Sequence, residues 1–92
     1  ESAEDMTHDE WIKNAQDIEK ACEEFPDYLY HAGGCYGAAG EIEEVLRIFR
    51  KILEQGMELN NRYINYWFFD KVRESKEWKD FFQNLTESNQ NL

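Results

Sequence analysis

The chain is poor in the residues that interrupt or staple a fold. Proline occurs once, at Pro26, and glycine five times, so the breaks between elements are few and their positions informative. Two cysteines, Cys22 and Cys35, are too few for a disulfide framework, and both fall on apolar helix stripes, which predicts reduced, buried thiols. No apolar run approaches the ~20 residues that cross a bilayer. Positive charge is also scarce: ten Lys and Arg against twenty Asp and Glu give a net charge of -10. That balance disfavours a nucleic-acid backbone, whose phosphates would be repelled, and an anionic membrane surface for the same reason. With no leader-like segment in view, a cytoplasmic protein is expected.

What the chain does have is aromatic rings, at 15% of 92 residues. Each large ring buries about 150–250 Å², which helps a core as small as this one. The charge is uneven. Residues 1–27 hold ten acids against Lys13 and Lys20, a balance of -8 that leaves only -2 for the rest. Such a segment serves as a solvated helix face, or steers a basic partner.

The hydrophobic period is helical throughout. Thr7 followed by Glu10 forms a capping-box pattern, and Trp11, Ala15, Ile18, Cys22 and Phe25 make one stripe, ended by Pro26. A second helix starts near Asp27 and carries Leu29, Ala32, Cys35, Tyr36 and Ala39 among Gly33, Gly34 and Gly37. Three glycines in five helical positions cost up to ~1 kcal/mol each and point to close approach of a neighbouring helix. A turn at Gly40 leads into the clearest helix, 41–55, with Ile42, Val45, Leu46, Phe49, Ile52 and Leu53 on one face and Gly56 as its stop. A fourth helix is predicted from Glu58 to Arg73, and Ser75 caps a fifth bearing Trp78, Phe81, Phe82 and Leu85. The expectation is an all-α fold of about five helices in stacked antiparallel hairpins, or a compact helical bundle. The single domain spans 7–86, with disordered ends at 1–6 and 87–92.

From Leu29 the spacing becomes more specific. Leu29, Ala32-Gly33, Tyr36, Gly40, Ile42, Val45, Phe49 and Ile52 resemble the tetratricopeptide repeat (TPR), in which a small residue admits the second helix, a tyrosine fills the groove and a glycine makes the turn. In a poorer copy about thirty-three residues later, Phe69, Ser75, Trp78, Phe82 and Leu85 fall where Tyr36, Ile42, Val45, Phe49 and Ile52 fell, with Tyr66 and Arg73 in place of the glycines. The resemblance implies a non-catalytic protein-protein interaction module. In such a module the first helix of each hairpin lines a groove for a peptide or helix of a partner, so Asp27, Tyr30, His31, Gly34, Asn60, Tyr63 and Trp67 are the expected contact residues. No lysine or arginine lies on the first groove-side helix, so a ligand with apolar and basic character is expected rather than a clamped carboxylate. An apolar face left uncovered by so short an array leaves a homodimer open. The alternative is a small acidic inhibitor, an immunity protein or antitoxin, that blocks a basic site on a partner enzyme.

Catalytic chemistry finds little footing. Glu41 and Glu44, three apart, resemble the ExxE helix of helical nucleotide pyrophosphatases, but the second acidic pair reduces to Glu58 with Asn61, one carboxylate where two are wanted. His8 and His31 lack metal-ligand spacing. Cys35 lies one turn from His31, within a nucleophile's reach of its base, yet it sits on the apolar stripe. Neither an enzyme nor any cofactor or metal is expected.

Overall fold

A computed structural model describes the backbone of residues 6–90 and the side chains of 6–86. It is all-α: helix α1 spans His8–Ala21, α2 Tyr28–Ala39, α3 Ile42–Glu54, α4 Asn61–Ile64 and α5 Lys76–Gln90, with a 3-10 turn at Trp67–Phe69 between α4 and α5. No strand occurs among the described residues. Residues 1–5 and 91–92, within the end segments 1–6 and 87–92, lie outside the described residues, whereas Met6 packs against the core and α5 continues as helix to Gln90.

Helix α2 is central. Its sequence holds no Asp, Glu, Lys or Arg, and Ala32 through Ala38 are all buried, as a helix apolar on every side must be. It packs against α1, α3 and the 3-10 turn, while α5 reaches the core through α3. The centre is Phe49, fully buried, with Tyr63, Phe69, Trp78 and Phe82 around it at ring-centroid distances of 5.4–5.9 Å.

Local signals set most helix ends. The Glu10 amide donates to Thr7 Oγ1 at 3.2 Å, and the Thr7 amide donates to Glu10 Oε1 at 3.3 Å, completing the capping box of α1. Gly40 (φ 83°) and Gly56 (φ 80°) end α2 and α3 in the left-handed region. Each is followed by an amide that returns five residues back, Glu41 to the Tyr36 carbonyl and Met57 to the Ile52 carbonyl. Ser75 caps α5 by accepting from the Trp78 amide at 3.2 Å.

Two expectations need correction. Helix α1 stops at Ala21, short of Phe25. The residues before Pro26 close instead through turns, with the Glu24 and Phe25 amides both donating to the Ala21 carbonyl. Phe25 thus leaves the core stripe, becomes 54% exposed and stacks on Tyr28 at 5.4 Å.

The continuous helix expected over Glu58–Arg73 does not form. Met57–Asn60 is irregular, α4 lasts one turn, and Tyr66 adopts an extended ψ of 156°. The reason is steric and polar together. One straight helix could not aim Tyr63, Phe69 and Val72 into the same core, because its apolar residues spread around the axis. The break turns Phe69 and Val72 inward, to 0% and 2% exposure. Carbonyls freed by the break are collected by Arg73, whose Nη2 donates to Ile64 O at 3.1 Å and Tyr66 O at 2.7 Å while Nη1 pairs with Asp70 at 2.7 Å.

Candidate interaction groove

The irregular segment lies across α2, and the three helical glycines make room for it. A Cβ on Gly33 would sit 2.5 Å from Tyr63 Oη and 3.2 Å from Ile48 Cγ2, one on Gly34 2.7 Å from the Phe68 ring, and one on Gly37 2.6 Å from the Phe69 ring and 2.8 Å from the Phe68 carbonyl. Gly33 therefore serves two neighbours, α3 on one side and the tyrosine of α4 on the other. Gly34 and Gly37 serve the aromatic segment alone.

Between α2 and α4 a groove of about 550 Å³ opens, lined by Tyr30, His31, Asn60, Arg62, Tyr63, Tyr66 and Phe68. Its walls are locked by a relay of hydrogen bonds. The Tyr63 hydroxyl donates to the Tyr30 carbonyl at 2.7 Å, the Tyr30 hydroxyl donates to the Glu58 carbonyl at 2.7 Å, and Asn60 Oδ1 accepts from the Tyr63 amide at 2.9 Å. The two rings meet edge to face at 4.9 Å. Burial pushes the Tyr63 phenol far above its ordinary value, so it stays neutral and remains a donor. With Tyr30 and Tyr63 committed to the scaffold, the polar groups left at the groove are the His31 ring, the Asn60 amide nitrogen, the Arg62 guanidinium and the Tyr66 hydroxyl. None of the four has a hydrogen-bond or ion-pair partner among the described residues.

Four of the residues expected at a contact surface, Tyr30, His31, Asn60 and Tyr63, thus line one groove. Gly34 lies beneath the Phe68 ring as part of the floor. Asp27 stands at the exposed start of α2, with no side-chain capping bond and no place in the lining. Trp67 faces elsewhere: it meets Trp11 at 6.1 Å and lines a smaller recess of about 270 Å³ with Met6, Ala38 and Lys71. Arg62, Tyr66 and Phe68 were not among the expected contact residues; a continuous helix would put Arg62 and Tyr66, one turn apart, on one face and Phe68 on another. Asn60, a helix N-cap residue placed inside the expected helix, is the signal that pointed to a break.

The charged residues elsewhere form structural ties. Glu19 of α1 accepts from Arg47 Nη1 at 2.6 Å, Arg47 Nη2 at 2.9 Å, Lys51 at 3.0 Å and the Tyr36 hydroxyl at 3.0 Å, joining α1, α2 and α3. Arg47, the dominant partner, holds the Glu19 carboxyl down to about 2. Burial, with the Glu19 carboxylate beside it, pushes the Tyr36 phenol up to about 12. Glu44 is tied to Arg47 at 3.1 Å and Glu41 to His8 at 3.3 Å. Among the described residues no group of three or more His, Cys, Asp or Glu is disposed to hold a metal ion, and no helix is long and apolar enough to cross a membrane. Cys35 is buried and Cys22 half-buried, both unpaired, and burial raises both thiols, which opposes the thiolate a nucleophile needs.

Compared with protein-family models, with curated proteins and with solved structures, the chain gives no match.

Proposed function

We propose that the chain is a non-catalytic protein-protein interaction module of TPR-like type, whose α2–α4 groove receives a peptide or helix from a partner protein. The observation that carries this reading is the groove itself, with aromatic walls pre-set by the Tyr63–Tyr30–Glu58 relay. A site whose walls are already tied by hydrogen bonds before binding spares part of the ordering cost of a looser one. Exposed tyrosine at its edge, Tyr66 at 49%, is the residue type that dominates binding hot spots. The α2–α3 hairpin, with Gly33 under Ile48 and the turn at Gly40, is the part of the chain on which the TPR resemblance rests. Free thiols at Cys22 and Cys35 suit a reducing, cytoplasmic setting.

The test is a selection of displayed random peptides on the wild-type protein, followed by calorimetric titration against wild type and Tyr66→Ala at low and high salt. Enriched peptides are expected to lose affinity on the order of thirtyfold with the variant, as a hot-spot ring does, and to respond weakly to salt. Failure to enrich any peptide, or binding indifferent to Tyr66, overturns the reading. Binding that collapses with salt and maps to the exposed acids of α1 supports the acidic-inhibitor alternative instead.

A further inference from the structure

Positive charge among the described residues is largely spoken for; of the cations without a carboxylate partner, Lys71 lies at the Trp67 recess and Arg62 lies in the groove. Among the described residues, ion pairs engage Lys13 and Lys20 with Asp17, Arg47 and Lys51 with Glu19, Arg73 with Asp70, Lys76 with Asp80 and Lys79 with Glu74. Arg50 lies over the Phe81 ring at 5.8 Å. Arg62 has no carboxylate partner, and the described groove lining contains no acid at all. Arg62 is exposed on α4, in the same lining as the Phe68, Tyr66 and His31 rings, the last meeting Tyr28 edge to face.

We infer that the groove selects a short protein segment carrying an aromatic or large aliphatic side chain next to a carboxylate, the apolar group seated against Phe68 and Tyr66 and the carboxylate held by Arg62. This rests on the interaction-module reading and fixes the chemistry of its partner. The net charge of -10 argues the other way at long range, but at physiological salt the Debye length is about 8 Å. A bound carboxylate therefore responds chiefly to the groove around it. There it meets a guanidinium free of competing acid, a fork able to make two parallel charge-assisted hydrogen bonds. A basic segment would bring its cation to a lining whose charged member is already positive.

Two fragments of matched shape make the experiment: indole-3-acetate, an aryl carboxylate, and tryptamine, the same ring with an ammonium. Each is titrated into the ¹⁵N-labelled full chain while backbone and arginine Nε resonances are followed. Indole-3-acetate is expected to shift Arg62 Nε–H together with Tyr66 and Phe68, and Arg62→Gln is expected to weaken it about tenfold, the scale of a charge-assisted contact. Because Arg62 is exposed and bonded to no described group, that variant keeps the wild-type spectrum elsewhere. Tryptamine binding as well or better, no groove shift with either fragment, or indifference to Arg62→Gln overturns the inference. A lysine- or arginine-rich consensus among selected peptides that still need Tyr66 would sink it too, while leaving the interaction-module reading standing.

Discussion

The α2–α3 hairpin and the segment from Asn60 to Arg73 meet on the same ring, Phe49, yet they are held there by different means. In the hairpin, Val45, Ile48, Phe49 and Ile52 are all fully buried and repeat at helical spacing. Its two helices end at glycines that close their own carbonyls. Burial of apolar surface does most of the work, and backbone hydrogen bonds follow from the helix. The other segment has one turn of α-helix and one of 3-10 helix. Its order comes from side chains that replace missing helical bonds: Asn60 at the start, Tyr63 on α2 and Arg73 across the carbonyls of Ile64 and Tyr66. The regular region is a platform, whereas the irregular one shapes the groove.

The two meet most tightly at Gly37, so substitution there breaks the comparison hardest. Gly37→Ala places a methyl 2.8 Å from the Phe68 carbonyl, a backbone atom that cannot rotate away. Overpacking against an immovable atom costs about 3 kcal/mol, against which alanine's better helix propensity returns about 1. Chemical denaturation should find a net loss of about 2 kcal/mol. A stabilised variant would mean that the segment is not docked on α2.

Removing Arg73 should separate the regions rather than unfold both. Arg73→Met keeps the aliphatic stem and deletes the donors to Ile64 O and Tyr66 O, costing about 1–2 kcal/mol. Hydrogen exchange should accelerate over residues 61–72 while α2 and α3 stay protected. Uniform acceleration across the chain would show that the two regions open as one unit.

The smallest effect belongs to the tie beneath the hairpin. Glu19 has its carboxyl at about 2 in the folded chain against an ordinary 4.5. A depressed carboxyl stabilises fully above the unfolded value and loses that contribution as pH falls through the folded one. The window is therefore pH 4.5 down to 2. Arg47 and Lys51 are 37% and 45% exposed, and water screens them, so the tie is worth about 1 kcal/mol. Glu19→Gln should melt earlier than wild type at pH 7 and converge with it near pH 2. A constant gap across that range would assign the loss to packing instead of charge.

The sequence was most legible where one local rule sufficed. The capping box at Thr7, the αL stops at Gly40 and Gly56, the Ser75 cap and the apolar face of α3 each depend on residues within a turn or two of one another. Tyr30, His31, Asn60 and Tyr63 were expected together only through the TPR resemblance, and the groove they line joins residues about thirty positions apart. Tyr66, Trp67 and Phe68 could not be placed by a local rule, since their directions depend on the break between Ile64 and Trp67.

By itself, then, the sequence determined an all-α chain with a charge-free central helix, and it marked three glycines as points of close approach. Only the tertiary structure decided what approaches them. An apolar helix face can satisfy several neighbours equally well, and helical periodicity carries no information about which one arrives. The choice was made by Tyr63, Phe68 and Phe69, whose rings fit where a Cβ would not, and by Arg73, nine residues from the Ile64 carbonyl it closes. Those are long-range matches of shape and hydrogen bonding, and they exist only once the core around Phe49 has formed.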